Sequence, residues 1–414
     1  MIQRWIPLFA VALTCGLVAA EGGGATPSED ARTTFDFELA PQIRHFPQTG
    51  FQGQDRTQLS VSFTPEYQRE WGRQSLRVVP FLRLDSMDDE RTHGDLRELF
   101  WSYVADLWEL DVGVLKVFWG VTEFKHVVDI INQTDRVENI DDEDKLGQPM
   151  VHLSLVRDFG IFDVFVLTGF RERTFPGTDG RLRLPLVVDD RETEYESGAG
   201  RARTDAAVRW SHLVGPLEFG VAHFHGTSRE PRLFETTRPN GERVLAPFYD
   251  VIDQTSIDAQ AIFGQWAGKL ELYSRSGQGE RFTAAAFGFE RTFVGVFDSR
   301  VDLGLVTEYL FDGRGDDAPT ILEHDIALGL RVTLNDPSDT NGLFGWIIDH
   351  KTGEYILSLE GTRRVGTRWQ ANLEVRVFQG AHSTSVLNSG FDPDNKSAFL
   401  QSDDYIQLEI VRFF

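Results

Sequence analysis

The chain has 414 residues, with 41 Lys and Arg against 64 Asp and Glu, a formal charge of -23. An acidic excess of this size argues against nucleic acid or another polyanion as a partner held by the whole-molecule field. Its 32 Phe, 9 Trp and 8 Tyr against 3 Met suit strands better than a helical bundle.

The chain begins with a single positive charge at Arg4, an apolar run from Ile6 to Ala20, and the small residues Val18-Ala19-Ala20. This predicts a signal peptide over 1–20, cleaved after Ala20. The run falls short of the roughly 20 residues of a spanning helix. Lipidation at Cys15 is disfavoured because Leu13-Thr14 lacks the small residue wanted just upstream. Removing the segment takes Arg4 with it, so the charge becomes -24, and leaves no cysteine. Residues 21–33 read as a flexible N-terminal segment and 34–414 as one domain, since no shift in composition divides them. No later stretch approaches the roughly 18 uncharged apolar residues of a membrane helix.

Period-two alternation predicts strands over 34–40, 57–67, 75–84, 96–105, 108–118, 150–157, 161–168, 204–212, 216–225, 253–263, 265–275, 281–292, 299–311, 321–334, 343–350, 354–363, 367–378 and 403–414. The clearest is Trp369, Ala371, Leu373, Val375 and Val377 alternating with Arg368, Gln370, Asn372, Glu374 and Arg376. Several runs have the roughly 9–11 residues a tilted strand needs to cross a bilayer, whereas strands of soluble sheets are nearer 5–6. The fold class is therefore all-β, a transmembrane antiparallel up-and-down barrel of about 18 strands, with 16 as the alternative.

Connections alternate between brief, as at 106–107, 158–160 and 213–215, and long, as at 119–149, 169–203, 226–252 and 379–402. Barrels of the bacterial outer membrane place short turns at the periplasm and long loops outside, which orients the chain. Trp71, Trp108, Trp210, Trp266 and Trp369 fall at or beside short turns, where a periplasmic aromatic belt would put them.

In the loop after the fifth strand, Phe124, Val127, Val128 and Ile131 recur at helical spacing, with Glu123, Lys125, Asp129 and Asn132 on the other face. A short amphipathic helix is predicted. It packs either on the inner wall, narrowing a pore, or on neighbouring external loops. The acidic run Asp141-Asp142-Glu143-Asp144 follows it. Inward-parity positions carry charges of both signs, so the candidate pore-lining and constriction set is Glu123, Lys125, Asp129, Asp141, Asp142, Lys269, Glu271, Arg275, Glu308, Arg331, Glu360, Arg364, Glu374 and Arg376. Opposed charges on neighbouring strands either brace the wall as ion pairs or orient a polar solute.

The last strand alternates Ile406, Leu408 and Ile410 with Gln407 and Glu409 and ends on Phe414. This ending resembles the terminal strand of bacterial outer-membrane barrels, where a final Phe is read by the barrel-assembly machinery. Arg412 departs from that pattern by standing on the lipid parity, where near the interface its cost is about 0–1 kcal/mol. Val112-Gly113-Val114-Leu115-Lys116-Val117-Phe118-Trp119-Gly120, followed by Val128-Asp129-Ile130-Ile131-Asn132-Gln133-Thr134-Asp135, is similar to a stretch of Gram-negative porin-like proteins. There a strand ends in Trp-Gly and leads to an Asn-x-x-Asp loop. Architectural relatives of that group are polysaccharide-export and substrate-channel porins. The resemblance implies the bacterial outer membrane, lipid and lipopolysaccharide as surroundings, small polar solutes as cargo, and a homotrimer as one oligomeric state.

Other motifs carry less. His223 and His225 are spaced as a metal pair is but suit an interfacial or pore-lining pair better. Arg314-Gly315-Asp316 fits an ordinary hairpin loop. Asp392-Pro393-Asp394-Asn395 and 141–144 offer carboxylates for calcium or for bridging lipopolysaccharide. G-x-S-x-G, H-E-x-x-H and phosphate-loop patterns are missing, so the expectation is no enzyme, catalytic residue, cofactor or metal. The expected function is a porin-like channel for passive or facilitated passage of small polar or charged solutes. The alternative is a plugged barrel acting as a surface structural or adhesion scaffold through its long loops.

Overall fold

The computed structural model describes residues 31–379 and 396–414. The expected signal peptide, residues 21–30 of the expected N-terminal segment and Asp392–Asn395 lie outside them.

Alternating apolar and polar residues build eighteen strands into a single antiparallel sheet. They are β1 Arg32–His45, β2 Thr57–Trp71, β3 Gln74–Asp85, β4 His93–Val104, β5 Trp108–Leu115, β6 Gln148–Arg157, β7 Gly160–Thr168, β8 Thr204–Val214 and β9 Leu217–Thr227. The second half is β10 Val251–Phe263, β11 Trp266–Ser276, β12 Phe282–Phe293, β13 Asp302–Asp312, β14 His324–Thr333, β15 Asn341–Asp349, β16 Tyr355–Val365, β17 Trp369–Gln379 and β18 Tyr405–Phe413. Each strand pairs with its neighbours in sequence, and β18 returns to β1, with Leu39 opposite Arg412 and Ile43 opposite Leu408. Closure removes every free edge. The Phe414 amide donates to the Phe37 carbonyl at 3.0 Å, and the two rings stack with centroids 4.3 Å apart.

All eighteen expected strands are present, and most boundaries move by one or two residues. The larger shifts are at β1, at the end of β2 (Trp71, not 67), at the start of β4 (His93, not 96), at the end of β5 (Leu115, not 118), and at the starts of β13 and β14. β1 begins two residues before the expected domain start and runs on to His45, because Pro41 is accommodated opposite Val61 instead of ending the strand. β13 and β14 begin at Asp302 and His324, three residues inside the expected 299–311 and 321–334.

One parity of each strand is turned outward. Leu39, Leu84, Val166, Ile257, Phe287, Leu328, Phe344 and Leu408 are among its exposed apolar side chains. A belt of this extent cannot face water, and hydrocarbon is the medium it matches.

At one end of the barrel six connections are brief, 72–73, 105–107, 158–159, 215–216, 264–265 and 366–368, and two are longer, 294–301 and 334–340. At the other they include 46–56, 116–147, 169–203 and 228–250. Trp71 closes β2, while Trp108, Trp266 and Trp369 open β5, β11 and β17, all beside short turns. The Trp210 indole donates to the Phe159 carbonyl in the 158–159 turn at 2.9 Å. Long-loop segments Glu194–Tyr195, Arg232–Thr237 and Arg243–Tyr249 form a separate three-stranded sheet.

Candidate functional site

The segment 116–147 lies inside the barrel, and one side chain closes its base. Asn132, fully buried, gives its Nδ2 to the Leu115 carbonyl at 2.8 Å and the Leu146 carbonyl at 2.9 Å. Its Oδ1 accepts the Val117 amide at 2.7 Å, so a single amide ties the beginning of the loop to its end. Beyond it Thr134 and Lys145 form an antiparallel bridge.

The predicted helix over 124–131 is not formed; the backbone there is irregular. Its amides find better partners than a helix would offer. Glu271 of β11, wholly buried, accepts the Val121 and Thr122 amides on Oε1 at 2.7 and 2.9 Å and the Val128 amide on Oε2 at 3.3 Å. Glu308 of β13 accepts the Glu123 and Phe124 amides at 2.7 and 3.0 Å. Charged acceptors make the stronger hydrogen bonds, and in a loop of this length they replace the i to i+4 pattern.

Without the helix the four apolar residues take the first of their two expected destinations, the inner wall. Val128 and Ile131 are fully buried in a cluster with Trp119, Phe165, Ala207, Ala222 and Phe224 on the inner wall. Val127 and Phe124 pack against Ala286, Leu310, Ala327 and Ile347. Phe124 fits because Gly329 and Gly345 face it on β14 and β15. A Cβ on either would lie only 3.1 or 2.8 Å from the ring.

Arginines hold the opposite side of the loop. Arg83 of β3 pairs with Glu138 at 2.8 Å, and Arg97 of β4 pairs with Asp135 at 2.6 Å. Arg91, in the β3–β4 loop, bonds Asp85 at 2.7 Å and donates to the Val137 carbonyl at 2.9 Å. Arg376 of β17 bridges Asp141 at 3.2 Å, Glu360 at 2.8 Å and Glu374 at 3.0 Å. Glu374 also accepts from Asn139 at 3.2 Å. The loop thus reaches from β3 and β4 to β17 and across to β11, β13, β14 and β15.

Within the loop, Asp142 pairs with Arg136 at 2.7 Å and with Lys125, and Asp129 pairs with Lys145 at 3.1 Å. Burial pushes the Asp142 carboxyl up, but Arg136 and Lys125 outweigh it and hold the group far below the usual carboxylate range. Glu143 moves the other way, raised well above its ordinary value by burial and then by Asp141 and Glu360. At the turn nearest β14, Glu123 meets Arg331 at 2.5 Å and lies 3.9 Å from Lys269, which pairs with Glu290 at 3.4 Å.

Most of the sequence-predicted residues therefore meet the loop. Glu123, Lys125, Asp129, Asp141 and Asp142 belong to it, and Lys269, Glu271, Glu308, Arg331, Glu360, Glu374 and Arg376 contact it or share its charge pairs. Arg275 does not. It bonds Gln254 at 2.9 Å and Glu230 of the 228–250 loop at 3.1 Å. Arg364 is exposed at the brief-turn rim, with its amide on the Ser338 carbonyl, and stands apart from the loop because it is one residue from the end of β16. His223 and His225 are outward, bonded to Thr255 and Asp253 at 3.0 Å each. Among the described residues no cluster is suited to a metal ion.

Sequence reasoning missed Arg83, Arg91, Arg97, Asp135 and Glu138. Arg83 shares its inward parity with the buried, apolar Val79 and Phe81, which hides a polar face, and a register shift between Val79 and Pro80 breaks the alternation against β4. Asp135 was visible in the Asn-x-x-Asp spacing, where the Asn proves to be the staple and the Asp the seat for Arg97.

No family model matches the chain, and no curated protein matches it. Solved structures do. The chain is similar to OccD3 (OpdP) of Pseudomonas aeruginosa, at 10% identity and a TM-score of 0.52 over 92% of this chain and 90% of that one. A BenF-like porin from Pseudomonas fluorescens Pf-5 matches at 9% identity and a TM-score of 0.53, over 93% and 98%. Wzi of Escherichia coli, described as a carbohydrate-binding β-barrel involved in group 1 capsule assembly, matches at 6% and 0.52, over 91% and 84%. The shared feature is the fold, a closed barrel of the outer-membrane porin type.

Proposed function

We propose that the chain is an outer-membrane channel for small polar or charged solutes, with the loop 116–147 as its constriction. The observation that carries this reading is the capture of five loop amides by two buried wall carboxylates, Glu271 and Glu308. A loop held in this way stays inside the lumen and narrows it, and the long external loops add to its hold through Arg229 on the Ile131 carbonyl and Thr174 on Asp135. The similarity to a BenF-like porin supports a channel.

Selectivity follows from which charges are compensated. At the loop, Asp129, Asp135, Glu138, Asp141 and Asp142 all face a cation. At the brief-turn end the inward row carries more carboxylates than cations: Asp36 stands directly opposite Glu66, which pairs with Arg77 at 2.8 Å, Glu70 stands opposite Arg32, and Glu109 and Glu218 follow on β5 and β9. Among the described residues Asp36, Glu70, Glu109 and Glu218 have no cation within ion-pair distance, and Arg32, Arg364 and Arg368 stand against them at the same rim. Like charges on adjacent strands cost stability, so a vestibule that keeps them favours cations.

Planar-bilayer recording tests this. Steady ohmic steps with a cation-selective zero-current potential across a KCl gradient are expected. A heat-modifiable, folded protein that stays electrically silent would overturn the reading.

A further inference from the structure

We propose that three arginines stacked on tryptophans at the brief-turn rim of the outer wall hold the phosphates of phospholipids in the periplasmic leaflet. The inference rests on the barrel spanning a membrane and does not depend on its conducting.

The three are Arg69, Arg291 and Arg412, and register fixes which way they face. Arg69 lies opposite Thr33 and Leu76, Arg291 between Trp266 and Leu305, and Arg412 between Leu39 and Trp369. These partners belong to the outward parity, so all three guanidinium groups stand on the apolar side of the wall. Each lies beside a brief turn: Arg69 two residues before the end of β2, Arg291 across from the first residue of β11, Arg412 across from the first residue of β17.

Each has an aromatic face beneath it. Arg69 is 5.7 Å from the Trp71 ring centroid. Arg291 is 4.8 Å from Trp266 and 4.7 Å from Phe293, and Arg412 is 5.0 Å from Trp369 and 4.4 Å from Phe414. A stacked guanidinium keeps its plane fixed and its donors in a fork.

Their charge, however, is unanswered. Among the described residues none of the three has a carboxylate within ion-pair distance, whereas Arg77, Arg83, Arg97, Arg331 and Arg376 on the inner wall all do. A cation on a lipid-facing row is tolerated near the interface only because an aqueous or anionic group can reach it. At that depth the available anion is the phosphodiester of the adjoining leaflet, and guanidinium binds phosphate oxygens bidentately. The three sites fall on β2, on β11–β12 and on β17–β18.

Native mass spectrometry of the intact chain, released from detergent after titration with phosphatidylglycerol or with diacylglycerol of the same acyl chains, tests the proposal. Wild type is expected to retain phosphatidylglycerol about tenfold more than the phosphate-free lipid. R69Q/R291Q/R412Q is expected to bring the two within twofold, while the corresponding Lys variant, which keeps charge but loses the fork, falls between. Equal retention by wild type, unchanged discrimination in the Gln variant, or preference for lipopolysaccharide over phosphatidylglycerol would overturn it. If the Gln variant fails to fold, the wild-type comparison of the three lipids decides. Conductance by a protein that does not discriminate removes this proposal and leaves the channel reading intact.

Discussion

Thr122 gives both its amide and its hydroxyl to one oxygen of Glu271, at 2.9 and 2.6 Å. That oxygen also accepts the Val121 amide, so the carboxylate of a barrel strand acts as the terminus for a turn of an inserted loop. Replacing Glu271 with Ala orphans several buried donors at once, at about 1–3 kcal/mol each. E271A is expected to lower the urea midpoint and to convert quiet single-channel steps into noisy, larger ones. A midpoint and noise equal to wild type would show that the loop is held elsewhere.

The Phe124 slot makes a steric prediction. At Gly345 an added Cβ would sit 2.8 Å from Phe124 and 2.4 Å from the Ser358 hydroxyl, so Val cannot be accommodated with the ring in place. G345V should fold, as judged by heat modifiability, and conduct differently because Phe124 has been expelled. F124A should reproduce the conductance change without the steric load. Identical conductance in both variants and wild type would count against the slot.

The charge pairs on the opposite wall are buried. Arg97 and Asp135 meet at 2.6 Å with almost no exposure. Removing one partner strands the other, at about 3–5 kcal/mol. D135N is expected to be destabilised by that order in denaturant melts. The double variant D135N/R97M should recover part of the loss; a double variant as unstable as the sum of the singles would contradict the coupling.

Acidic loop residues give a pH signature. Glu143 is raised in the folded protein by burial, Asp141 and Glu360, so the folded state holds its proton more tightly than the unfolded chain does. Its contribution to stability is intact below the ordinary glutamate value and is lost as pH rises through the shifted one. Asp142 is depressed, so its contribution is present above the ordinary aspartate range and survives well into acid. E143Q should therefore stabilise the protein at pH 8 and leave it unchanged near pH 4. Equal effects at both values would refute the shift.

The barrel was legible because period-two alternation repeats down the chain and long and brief connections alternate independently of it. Phe414 and the turn-side tryptophans were legible for the same reason: their positions follow from strand ends. The loop was half legible. Spacing showed that Phe124, Val127, Val128 and Ile131 need an apolar partner, and it could not show that they would divide between two clusters on the inner wall or that Glu271 and Glu308, far along the chain, would take the amides a helix would have used. Arg83 and Arg97 were hidden by apolar neighbours on the inward parity and by the bulge at Val79. Arg364 stands at the rim away from the loop because parity gives a direction but not a depth.

The account stands most directly on the loop as constriction. Replacing 121–131, the stretch seated on Glu271 and Glu308, with a short Gly-Ser linker and comparing single-channel conductance with wild type in the same bilayer tests it. A several-fold larger, still ohmic conductance in the trimmed protein is the predicted result. Unchanged conductance, or silence in both proteins while folded, would contradict it.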